Sequence, residues 1–158
     1  MPALKVMAVG DGKEQWLSVF LETYGKKLKH FCDLELVAIK PFKEARHQVE
    51  DKLKKEGEAV LKQLSPTDYF VLCDLRGTSM TSEQWATKLE NIFTHSGKKR
   101  LCFLIGGAFG VDGAVFQRAD LKIKLSDMTM NHHVALAMLL EQIYRAFTIR
   151  QGIPYHNG

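Results

Sequence analysis

The sequence predicts an α/β fold: a mainly parallel sheet with helices on both faces. Three observations carry the prediction. Strand-length apolar runs alternate with stretches of helical periodicity along the chain, the pattern of parallel strands joined by right-handed crossovers. Residues 101–105, Leu-Cys-Phe-Leu-Ile, carry no charge, as suits a strand buried on both faces. The last periodic stretch is apolar over most of its circumference, so it must be covered on more than one side.

At 158 residues the chain is expected to form one domain, 1–158, with room for a substantial core. Its 46% hydrophobic and 25% charged residues are ordinary for a soluble globular protein. No apolar run approaches the ~20 residues that span a bilayer, and the amino terminus lacks a signal peptide's long apolar core. Cys32, Cys73 and Cys102 have no metal-ligand spacing, and two sit in apolar runs. Reduced, buried thiols in a cytoplasmic protein are the expectation. A formal charge of +4 is a mild bias toward an anionic partner, short of a nucleic-acid signature.

Residues 4–9 read as the first strand, closing on Gly10-Asp11-Gly12. From 15 to about 30, Trp16, Phe20 and Tyr24 recur every four residues beside Leu17, Leu21 and Leu28. That is one helical stripe, expected to pack in the core. Lys26, Lys27 and Lys29 suit the negative pole of this helix; a solvated face explains them as well as RNA does. Residues 34–39 form a second strand. The mixed-charge helix after it keeps Val49, Leu53, Val60 and Leu64 for the core, with Lys43, Arg46 and His47 as candidate phosphate contacts at its start.

A third buried strand covers 69–75 and ends in a turn, Asp74-Leu75-Arg76-Gly77. Thr81 and Gln84 have the spacing of a capping box for a helix over 82–95, stopped by Ser96-Gly97. The central strand, 101–105, opens into Gly106-Gly107-x-x-Gly110. Bare backbone is thereby expected at the sheet's carboxyl edge, where open α/β folds bind ligands. A short helix over 113–118 and a strand over 121–125 follow. The last helix starts at Asn131 or His132 and runs to Arg150, with Asn131 as N-cap. In so short a chain a second copy is its natural cover, which predicts a homodimer.

Several chemistries are disfavoured. The glycines after the first strand lack the third member of a Rossmann fingerprint, and no P-loop is present. There is no Gly-x-Ser-x-Gly elbow, and no His, Cys, Asp or Glu spacing suggests a metal.

Motifs along the whole chain resemble one family. They are Val9-Gly10, Lys55-Glu56-Gly57-Glu58, Leu75-x-Gly77, Ile105-Gly106-Gly107-x-x-Gly110 and Leu125-Ser126-x-Met128-Thr129, then His132, Glu141-Gln142-x-Tyr144-Arg145-Ala146-Phe147 and Pro154-Tyr155-His156. The chain resembles the RlmH family, small SPOUT-class methyltransferases that modify N3 of a pseudouridine in 23S ribosomal RNA. The resemblance implies a carboxyl-terminal deep trefoil knot, over about 101–158, that binds S-adenosylmethionine and forms much of a dimer interface. It implies the ribosome as partner, acted on after assembly, with no DNA and no membrane. The chain departs from the family pattern at Asn131, where proline is usual, at Leu136, where arginine is usual, and at Phe109.

Carried over by position, the resemblance assigns cofactor contacts to Cys73, Leu75, Gly106, Leu125, Ser126, Asp127, Met128, Thr129 and Met130. Apolar walls with a few placed polar groups suit an adenosine. His132, beside that loop, is the candidate base or acceptor contact; the alternative is a solvent-facing helix-start residue. Arg145 is a candidate phosphate or anion contact, or simply the partner of Glu141 four residues earlier. Tyr155 and His156 are expected to complete the active site from the tail, in a dimer to which both subunits contribute. The competing readings are a SPOUT enzyme for another RNA and a non-catalytic dimeric module that binds RNA or the ribosome.

Overall fold

The computed structural model describes residues 1–10, 12–42 and 48–158. Lys43, Arg46 and His47, the candidate phosphate contacts, lie outside the described residues. Ten elements alternate: β1 (Ala3–Val9), α1 (Gln15–Leu28), β2 (Asp33–Ile39), α2 (Val49–Lys62), β3 (Asp68–Ser79), α3 (Ser82–His95), β4 (Arg100–Ile105), α4 (Gly113–Arg118), β5 (Leu121–Lys124) and α5 (His132–Arg150). The sheet order is β2-β1-β4-β3-β5, and every neighbouring pair is parallel. The charge-free strand β4 therefore lies at the centre, between β1 and β3.

Alternation along the strands divides the core in two. Leu4, Val6 and Ala8 of β1 and Leu101, Phe103 and Ile105 of β4 pack with α1, α3 and α5. Met7, Val9, Cys102 and Leu104 face the other way, toward Val60 of α2 and Val115 of α4. A face of three helices and a face of two thus cover a sheet whose strands all end at the same edge.

Local signals set the helix ends. Thr81 and Gln84 make the full capping box of α3, each side chain bonding the other's backbone N–H. The Asn131 side chain caps α5 by accepting from the His133 N–H at 2.8 Å. Asp112 caps α4 through the Ala114 N–H.

Two expectations are corrected. Trp16 does not join the core: it is 45% exposed, and its indole N–H donates to Glu14 at 2.6 Å. Leu17, next along the helix, takes the fully buried position instead. The third strand does not end in a turn after Leu75; β3 runs on to Ser79. Its register on β5 jumps between Cys73 and Thr78, both opposite Ile123, so the intervening residues leave the ladder without ending the strand. The apolar circumference of α5 is covered largely by its own chain: Phe147 stacks between Phe31 and Phe93, and Tyr144 meets Tyr24 edge-on. Val134, at 46% exposure, remains outside that cover. Among the described residues no helix is long and apolar enough to cross a membrane.

Candidate functional site

Parallel strands bring the carboxyl ends of β3, β4 and β5 to one edge, and the loops leaving them enclose a cavity of about 520 Å³. β3 supplies one wall through Cys73, Asp74, Leu75 and Arg76; the β4 loop supplies Gly106, Gly107 and Gly110. The loop into α5 supplies Leu125, Ser126, Met128, Thr129 and Met130, and α5 adds His132 and Ala135. The cofactor contacts assigned by resemblance therefore meet in one place. Asp127 is the exception: its carboxylate is 85% exposed and pairs with Lys124 at 2.6 Å.

The glycine loop is folded tightly against the cavity. Gly110 donates its N–H to the Gly107 carbonyl at 3.1 Å. A β-carbon on Gly106 would stand 2.9 Å from Val111 Cγ1 and 3.3 Å from the Gly110 oxygen. Glycine is required there because backbone and side chain close in, leaving the backbone groups bare on the cavity side. Opposite, Ser126 Oγ accepts from the Met128 N–H at 3.0 Å and holds the second loop in a turn.

Charge enters the wall as one pair. Arg76 grips Asp74 through two side-chain hydrogen bonds of 2.8 and 2.9 Å and lies 3.9 Å over the Phe116 ring. The hydrogen bonds from Arg76 hold the Asp74 carboxyl below the usual carboxylate range. Sequence reasoning missed this pair because it read the segment as a turn; opposite charges two residues apart after a buried strand were the available signal. Cys73, in the same wall, is not a thiolate, since burial pushes its pKa strongly up.

His132 stands at the cavity's rim, at the start of α5. Burial, and then the neighbouring His133, lower its pKa, so the neutral ring is favoured. The two rings lie 4.2 Å apart and close over Gly10 at the end of β1. His133 is 7% exposed, with Nδ1 3.1 Å from Glu14. Among the described residues neither of its ring nitrogens has an aligned hydrogen-bond partner. Glu14 and His133 were not anticipated; contact across some 120 residues leaves no local mark.

Arg145, Tyr155 and His156 assemble elsewhere. Arg145 stands thirteen residues beyond His132 on α5, about 20 Å along a helix rising ~1.5 Å per residue. Arg145 pairs with Glu141 at 2.6 Å, so the contact foreseen as an alternative is present. Tyr155 donates to the same carboxylate at 2.9 Å, lies edge-on to Tyr144 and is 3.4 Å from the Tyr24 hydroxyl. His156 lies 2.9 Å from Arg145 through Nδ1 and 2.6 Å from Glu83 through Nε2. Within one chain this cluster does not reach the cavity.

A five-stranded parallel sheet defines an open α/β domain with a glycine-loop cavity at its strand ends. The comparisons place it. The family described as "Predicted SPOUT methyltransferase" matches residues 3–156, and the chain belongs to that family. Within it, the chain is 50% identical over 149 residues to ribosomal RNA large subunit methyltransferase H of Bdellovibrio bacteriovorus, covering 94% of this chain and 95% of that protein. It is 38% identical over 157 residues to proteins of the same name from Acetivibrio thermocellus and Clostridium kluyveri, covering 97% of this chain and 98% of each. The chain is thus a member of the RlmH group of SPOUT methyltransferases.

Proposed function

We propose that the protein methylates N3 of a pseudouridine in 23S ribosomal RNA, using S-adenosylmethionine and acting on the assembled ribosome in the cytoplasm. Its one domain spans 1–158, with residues from about 101 onward threaded as a trefoil knot. The observation that carries the reading is the meeting of Leu75, Gly106, Leu125, Ser126, Met128, Thr129 and Met130 in one cavity with His132 at its rim. The relatives' names support ribosomal RNA as substrate.

The residues present fit the cofactor. A cavity of about 520 Å³ lies within the ~300–1,000 Å³ typical of small-molecule sites. Leu75, Leu125 and Met130 offer apolar faces to an adenine, and the Gly106 cradle offers backbone N–H and C=O groups to adenine and ribose. When bound, the sulfonium supplies an electrophilic methyl group. The protein's tasks are to hold it in line with the acceptor nitrogen and to exclude water. Alignment of this kind is worth ~7–11 kcal/mol of barrier.

His132, kept neutral by burial, takes or accepts the imide proton of N3, a contribution of ~10²–10⁴-fold. Arg145, Tyr155 and His156 act from the second subunit of a homodimer, which brings the tail of one copy to the cavity of the other. Arg145 steadies negative charge and Tyr155 offers a ring to a base.

The test is methyl transfer to ribosomes whose 23S RNA lacks the modification, read by mass spectrometry of the digested RNA. Wild type adds one methyl to a pseudouridine and Gly106→Val adds none. Failure with assembled ribosomes, by protein that binds the cofactor, overturns the assignment of substrate.

A further inference from the structure

The tail cluster contains a tautomer constraint. Arginine is only a donor, so the guanidinium 2.9 Å from His156 Nδ1 leaves that nitrogen to accept. The ring proton then sits on Nε2, the nitrogen 2.6 Å from Glu83 Oε1. Glu83 lies on α3, which also reaches α5 through the Ser82–Gln142 hydrogen bond of 2.7 Å. The imidazole is held from both sides by groups that accept only one arrangement of its proton.

We infer that Glu83 is a positioning residue for the carboxyl-terminal tail: with Arg145 it fixes His156 as the Nε2–H tautomer and thereby sets where Tyr155 and the tail stand. The role of that tail in methyl transfer rests on the function proposed above; the clamp itself does not. Tyr155 is held in the same unit, by Glu141 at 2.9 Å and by the Tyr24 hydroxyl at 3.4 Å. A segment that follows Gly152 and Pro154 ordinarily frays. Here α1 and α3 each contribute one polar partner, Tyr24 and Glu83, and α5 contributes two, Glu141 and Arg145, which together hold it in register. Glu83 reaches the tail across 73 positions, and it does not line the cavity.

The experiment is nitrogen-15 NMR of the His156 ring, in full-length wild type, Glu83→Ala and Glu83→Gln, near neutral pH. Glu83 is about half exposed, and the α3 capping box depends on Thr81 and Gln84, so both variants keep the fold. Wild type is expected to show a protonated Nε2 and an unprotonated Nδ1. Glu83→Gln, whose amide oxygen still accepts, keeps that signature, whereas Glu83→Ala gives the averaged shifts of an unconstrained imidazole. In the ribosome assay kcat/KM falls about 10- to 100-fold for Glu83→Ala, the scale of a small misplacement of a contacting group, and is restored toward wild type by Glu83→Gln. An averaged ring in wild type, or an unchanged tautomer in Glu83→Ala, overturns the clamp. A clamp confirmed by NMR with no methyl transfer by wild type counts against the proposed function alone.

Discussion

Gly77 of β3 and Ile123 of β5 approach so closely that a β-carbon on Gly77 would lie 2.6 Å from both the nitrogen and the carbonyl carbon of Ile123. The obstacle is backbone, which cannot rotate away. Gly77→Ala must therefore open the β3–β5 pairing at its register jump, the segment that places Leu75 and Arg76 in the cavity wall. Overpacking of this kind costs ~1–3 kcal/mol. Urea unfolding is expected to register that loss, together with weaker cofactor binding. Unchanged stability would mean that the strands part without penalty.

Asp68 and Arg100 form an ion pair at the opposite end of the sheet. The carboxylate is 2% exposed, accepts two bonds from the guanidinium at 2.8 and 2.9 Å, and takes the Ser65 N–H at 2.7 Å. Burial raises this carboxyl, but the bonds from Arg100 and Ser65 outweigh it and hold the pKa below the ordinary value. A carboxyl depressed in the folded state adds stability above its unfolded pKa, about 3.9, and loses it as pH falls through the folded one. Asp68→Ala is expected to cost ~1–3 kcal/mol near neutrality, because the Ser65 N–H and two guanidinium donors lose their acceptor while Arg100 keeps Gln63 and Glu35. Its stability should also fall less steeply than that of wild type below about pH 4. A parallel pair of pH curves would contradict this.

His132 is expected to govern the acid limb of methyl transfer. Its burial favours the neutral ring, so the base-competent form persists below the ordinary value near 6.5. The profile of kcat/KM against pH should fall only below about 6.5, and His132→Ala should lower the rate ~10²–10⁴-fold. A limb unchanged in His132→Ala assigns the titration to another group.

Much of the fold is legible in local chemistry. The capping box at Thr81 and Gln84, the charge-free run of β4 and the Asn131 cap each depend on neighbours a few residues away. What was not legible depends on distant partners. The continuation of β3 to Ser79 needs β5, some 45 residues later, to pair with it across a register jump. Trp16 and Leu17 both fit an apolar stripe, and only the packing of α1 against the sheet and α5 decides which turns inward. Most of the candidate cavity was named through motif resemblance. Its charged pair, Asp74 and Arg76, and the union of Glu83 with His156 across 73 positions came from geometry alone.

The central claim is that the cavity beneath the Gly106 loop holds S-adenosylmethionine. Calorimetric titration of the purified protein with that cofactor, beside Gly106→Val, tests it most directly. The added side chain would collide with Val111, since even its β-carbon stands 2.9 Å from Cγ1. Binding by wild type, lost in a variant that stays folded, is the predicted result. No binding by folded wild type at millimolar cofactor, or equal binding by both proteins, would contradict it.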